Sequence, residues 1–241
     1  MMRLPISSSR VRSAARALAH TAVLSTALVA TAVLTASPVR AQSIVQTSNG
    51  LPLYGFGGEA VQTVGQTFVA TGTNLADFSF WLSNDGLGTV QADALQFKGY
   101  LMAWDGTQAI GPVMYASDTR VGPTLLAQQY QFNTANLALT TGAQYVAFLS
   151  VSDVIAGISP ADASAAFIMS DDTGAGGGLV FATNGADFPS LTTTPWTAGT
   201  GEQLQFEANF SGTVVPEPAT VLLLGCGVFA IGAVRARRRH V

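Results

Sequence analysis

The chain has 241 residues and a formal net charge of −3, but nine of its eleven basic residues lie in the first 41 positions or after Val234, while thirteen of fourteen acids lie between Glu59 and Glu207. Residues 42–215 therefore set Lys98 and Arg120 against thirteen acids, a net charge of −11, and contain neither His nor Cys, since His20, His240 and Cys226 fall outside them. This excludes charge-driven binding of nucleic acid or anionic lipid, Ser-His-Asp and Cys-His catalysis, zinc held by nitrogen or sulfur, and internal disulfides.

The first element in chain order is a leader. Arg3, Arg10, Arg12 and Arg16 precede an apolar stretch from Ala17 to Ala36, and Val39-Arg40-Ala41 then places small residues where a signal peptidase needs them. Cleavage between Ala41 and Gln42 is expected, which makes residues 1–41 a signal peptide. No Arg-Arg pair precedes the apolar stretch, so the general secretory route is expected rather than the twin-arginine route.

Residues 42–215 read as one exported domain, long enough for a sizeable core. Period-two alternation dominates. Leu204, Phe206, Ala208 and Phe210 alternate with Gln205, Glu207 and Asn209; Ala76, Phe78, Phe80 and Leu82 alternate with Asp77, Ser79 and Trp81. Other strands are expected at Gln62–Ala70, Leu95–Trp104, Val113–Ala116, Gln129–Asn133, Gln144–Val151, Ala165–Ser170 and Leu179–Thr183, with turn residues between them. Residues 42–58 suggest an edge strand followed by a loop, and 171–178 (DDTGAGGG) a mobile loop. The expected fold is all-β: a single antiparallel β-sandwich, jelly-roll-like, flanked by the signal-peptide helix and a C-terminal transmembrane helix.

Within that domain Trp81, Tyr100, Trp104 and Trp196 invite a carbohydrate-binding reading, because flat aromatic faces stack on sugar rings and neighbouring carboxylates or amides bond the hydroxyls. Asp105 joins Trp81, Tyr100 and Trp104 as a candidate glycan contact. The competing reading is core packing for the aromatics and a tight turn for Asp105-Gly106. Asp171 and Asp172 are weak candidate oxygen ligands for Ca²⁺, because the alternating ligand series of an EF-hand loop is missing and a solvated loop is the favoured reading. No other metal or cofactor is expected. A glycosidase needs only two suitably spaced carboxylates, and Glu202 and Glu207 are the glutamates best placed in strands or turns. No catalytic constellation is recognisable, so a non-enzymatic protein is expected.

The last element is the most specific. Pro216-Glu217-Pro218 leads into an apolar run of 16 residues, Ala219 to Val234, followed by Arg235, Arg237, Arg238 and Arg239. The prolines keep the approach extended, the run can enter a bilayer, and the arginines favour the cytoplasmic face. As a helix the run spans roughly 24 Å against a hydrocarbon core of about 30 Å, short for a lasting anchor. This tripartite tail, residues 216–241, resembles the PEP-CTERM sorting signal of Gram-negative bacteria. The pattern QTFVATGTNLADFSFWL, then GYLMAWDGTQAIGPVMY, then GAQYVAFLS, is similar to β-sandwich domains of secreted bacterial proteins with this kind of tail.

The resemblance implies processing by an exosortase near Pro216-Glu217-Pro218, after a transiently membrane-anchored stage. It implies a cell-surface or extracellular-matrix protein associated with exopolysaccharide or biofilm. Expected partners are signal peptidase, an exosortase, the membrane during sorting and exopolysaccharide, with no nucleic acid. The rival expectation is a secreted polysaccharide-active enzyme using Asp or Glu carboxylates.

Overall fold

The computed structural model describes residues 43–58, 61–85, 89–154, 163–172 and 176–211. The expected leader, its cleavage site at Ala41-Gln42, the Pro216-Glu217-Pro218 step, the apolar run and the arginine cluster lie outside the described residues. Among the described residues the fold is all-β, with fourteen strands and no α-helix. None of their helical turns is long and apolar enough to cross a membrane.

The strands form two antiparallel sheets of seven. The first contains β1 (Ser43–Gln46), β2 (Ser48–Gly57), β4 (Asn74–Ser83), β8 (Gln128–Ala138), β10 (Ser164–Ser170), β13 (Gln203–Leu204) and β14 (Phe206–Ser211). The second contains β3 (Thr63–Val69), β5 (Gln96–Trp104), β6 (Ala109–Ala116), β7 (Arg120–Val121), β9 (Gln144–Ser150), β11 (Leu179–Ala182) and β12 (Thr197–Ala198). In the first sheet β4 is central. It pairs with β8 along one edge and, along the other, with β14 over Asn74–Phe80 and with β10 at Leu82 and Ser83. β1 lies against the far side of β14, so the last described strand is an interior strand.

Alternation builds the core because every second side chain of a strand points to one face. Phe78, Phe80 and Leu82 of β4, Phe132 of β8, Phe167 of β10 and Phe206 of β14 are fully buried. They meet the inward residues of the second sheet in ring contacts: Phe68 with Phe206 at 5.6 Å, Phe56 with Phe97 at 5.7 Å, Phe97 with Tyr130 at 5.0 Å and Phe78 with Tyr115 at 5.8 Å between centroids. The two sheets thus pack face to face. Burying each phenylalanine contributes on the order of 2 kcal/mol, and this layer stands in for the disulfides that the domain lacks.

Two sequence expectations are corrected. Ala76 is not an inward residue of β4. Against β14 the register shifts between Asn209 and Phe210, which leaves Ala76 as the extra residue of a bulge, and against β8 three residues, 134–136, stand opposite it, so Leu75 takes the core position. Alternation counts residues and cannot register an unpaired one. Residues 48–57 are a strand rather than a loop. β2 pairs with β10 across two register shifts, which accommodate its Gly and Pro residues.

A polar stitch crosses between the sheets. Buried Gln46 of β1 and Gln66 of β3 both donate through Nε2 to Oε1 of Gln203 in β13, at 2.9 and 2.7 Å, and Leu204 N donates to Oε1 of Gln66 at 3.0 Å. Buried amides are tolerated when most of their polar atoms find partners; here Gln46 Oε1 is the buried atom of the cluster left without one.

Candidate functional site

The outer face of the first sheet gathers the outward residues of three strands. On β4 these are Asp77, Ser79 and Trp81; β8 sets Asn133, Gln131 and Gln129 opposite them, and β14 sets Asn209 opposite Asp77 and Glu207 opposite Ser79. Gln129, Gln131 and Asn133 are exposed, and Trp81, Asp77, Glu207 and Asn209 are half-buried. The polar groups are organised by one another. Asn209 Nδ2 donates to Asp77 Oδ1 at 2.9 Å and to Glu207 Oε1 at 3.0 Å, and Gln129 Nε2 donates to Ser79 Oγ at 3.2 Å. One partly exposed indole therefore stands beside three exposed amides and two carboxylates on a rigid sheet. Such a surface offers stacking for an apolar ring face and donors and acceptors for hydroxyls.

Tyr100 and Trp104 lie elsewhere, on the outer face of β5 in the second sheet, and that face is covered. The 3₁₀ turn Phe188–Thr192 and Trp196 lie over it, closing a second apolar cluster with Met102, Val146, Phe148 and Val180. Tyr100, Trp104 and Trp196 are 3%, 9% and 7% exposed, so their rings face protein. Tyr100 stacks on Phe148 at 5.1 Å, and Trp104 meets Trp196 at 5.5 Å. Burial, reinforced by the Asp153 carboxylate nearby, holds the Tyr100 hydroxyl protonated far above the usual range. Asp153 itself pairs with Lys98 at 2.7 Å.

Asp105 is exposed in the turn after β5. Its Oδ1 accepts from Thr107 N, Thr107 Oγ1 and Gln108 N at 2.7, 2.9 and 2.8 Å. The backbone N–H groups of Gln108 and Thr107 hold its carboxyl below the usual carboxylate range. Asp172 is similarly engaged: its Oδ2 accepts from Thr47 Oγ1 and N at 2.6 and 2.7 Å, which lowers its pKa and latches the β1–β2 junction to the end of β10. Among the described residues no group of three or more His, Cys, Asp or Glu side chains is placed to hold a metal ion.

The structure thus separates the candidates: Trp81 half-buried on the outer face of the first sheet, Tyr100 and Trp104 beneath a cover, Asp105 in a bonded turn and Asp172 bonded to Thr47 just after β10. The amide row on β8 is the contribution that sequence reading passed over. Its signal was present in the alternation of Gln129, Gln131 and Asn133 with Tyr130 and Phe132.

The family model of the PEP-CTERM protein-sorting motif matches residues 214–239, spanning Pro216-Glu217-Pro218 and the arginines at 235, 237, 238 and 239. The chain carries this motif. PEP-CTERM sorting implies export, recognition by an exosortase and a membrane-associated step. No curated protein and no solved structure matches the chain.

Proposed function

We propose that this PEP-CTERM protein is a non-enzymatic, cofactor-free component of the cell surface or extracellular matrix, released or displayed by an exosortase, whose jelly-roll-like β-sandwich binds exopolysaccharide. The sorting motif supports the route. The observation that supports the binding is the open row on the first sheet, where Trp81 stands in register with Gln129 beside Ser79, Gln131 and Asp77. Stacking of a sugar on an aromatic ring, with amides bonding the hydroxyls, requires no proton transfer and no metal. The domain's −11 charge favours neutral or cation-bridged glycans over strongly anionic ones.

One observation favours a hydrolase. Because Asn209 Nδ2 bonds both carboxylates, the bonded oxygens of Asp77 and Glu207 lie within roughly 6 Å of each other, close to the spacing of retaining glycosidases. Both are held by the same amide on a strand face, however, rather than directed from opposite sides at a substrate bond.

The deciding experiment is co-sedimentation of the exported protein with exopolysaccharide of the producing cells, run alongside an assay for new reducing ends. Binding lost in Trp81→Ala, with no reducing ends formed, supports the proposal. Reducing ends that form with the wild type and disappear in Asp77→Asn would establish the hydrolase.

A further inference from the structure

The long outer edge of the first sheet is β8. It pairs with β4 on one side and, among the described residues, with no strand on the other. Such an edge presents a row of unpaired N–H and C=O groups, and proteins usually blunt it by shortness, charge, proline or a bulge. The other edges show these devices. β1 has four residues, β7 and β12 have two each, β6 contains Gly111-Pro112 and a register shift, and β2 contains Pro52 and two shifts. Over Gln128–Asn133 β8 has none: no charge, no proline, no glycine, and no bulge before Ala135 and Asn136, whose φ values are 54° and 60°.

Charge singles out the same edge. The carboxylates of the outer face, Asp77 and Glu207, lie one and two strands inward, about 5 and 10 Å away at ordinary strand spacing. The nearest cation is Arg120, whose guanidinium lies 5.9 Å from the centre of the Phe132 ring. In a domain of net charge −11, a second copy approaching here meets no carboxylate on the edge strand itself.

We propose that β8 pairs antiparallel with β8 of a second copy of this chain. The two-fold axis is normal to the sheet, so the same residues serve both sides and the contact closes. The two first sheets become one sheet of fourteen strands. Both Trp81 residues then face the same way, and a polymer meets two sites on one surface.

The experiment uses exported protein carrying Cys226→Ser, so that an introduced cysteine is the sole thiol. Sedimentation equilibrium is expected to give a dimer, weakened at least ten-fold in Gln129→Lys/Gln131→Lys, whose fold is checked by circular dichroism. Mild oxidation is expected to link Gln131→Cys into dimers and to leave Val113→Cys, on exposed β6, unlinked. A monomer at every concentration overturns the proposal. So does a dimer that ignores the lysines, or one that links through Val113→Cys.

Discussion

Trp196 stands edge-on to Trp104, with ring centroids 5.5 Å apart and planes at 80°, and its indole N–H donates to the Leu191 carbonyl at 2.9 Å. One side chain thus packs on the second sheet while bonding the turn that covers it. Trp196→Ala is expected to cost about 3–5 kcal/mol, which at this size lowers Tm by roughly 10 °C. Trp196→Phe restores ring packing without the N–H and is expected to recover most of the loss. Thermal unfolding of the two variants checks both.

Gly99 of β5 is a packing requirement rather than a turn. A Cβ there would stand 2.5 Å from Phe132 Cε1 of the facing sheet. Phe132 is fully buried and stacked on Phe78 at 5.0 Å, so it has little room to move. Gly99→Ala is expected to destabilise by about 1–3 kcal/mol through overpacking, and Gly99→Ala/Phe132→Leu to recover part of it. Denaturant titration of the pair measures this coupling.

Gln203 accepts from two buried amides at once. Gln203→Leu leaves the Nε2 of Gln46 without its shorter bond and that of Gln66 with only its 3.1 Å bond to the Thr67 carbonyl. A loss of about 2–4 kcal/mol is expected for two weakened buried donors. Gln203→Glu, which keeps the acceptor, is expected to lose less at neutral pH.

The Asp172 latch carries a pH signature. The carboxyl titrates below its ordinary value because Thr47 donates to its charged form. A depressed carboxylate contributes stability that is present above the unfolded value, about 4, and lost as pH falls through the lower folded value. Wild type is therefore expected to lose Tm faster than Asp172→Asn between about pH 4 and pH 2, the two curves running parallel above pH 5. Parallel curves over the whole range would remove the latch from the account.

The sorting step has its own readout. Replacing Pro216, Glu217 and Pro218 with alanine is expected to leave a longer, membrane-held precursor on immunoblots of fractionated cells, with little released protein.

Much of the architecture was legible because the code was local. Phe78, Phe80 and Leu82, and likewise Phe206, Ala208 and Phe210, face the core as their spacing requires. Ala76 was misplaced because a bulge is a property of two strands, and one strand's spacing does not contain it. The functional aromatics show the same limit at longer range. Trp81 and Trp104 look alike in sequence, each on the outward side of a strand. Only the return of residues 188–196 over β5 covers the second, and nothing in the neighbourhood of Trp104 in sequence announces a cover more than eighty residues away.

The place of β14 brings the two ends of the domain together. Residues 206–211 lie between β1 and β4 and are what joins β1 to the rest of the first sheet, and the sorting motif begins three residues beyond them. Ser43 pairs with Asn209, so the start of β1 and the finish of β14 share one pole of the domain. The strand that ties β1 to the rest of the first sheet is thus the strand nearest in sequence to the motif that addresses the protein for export.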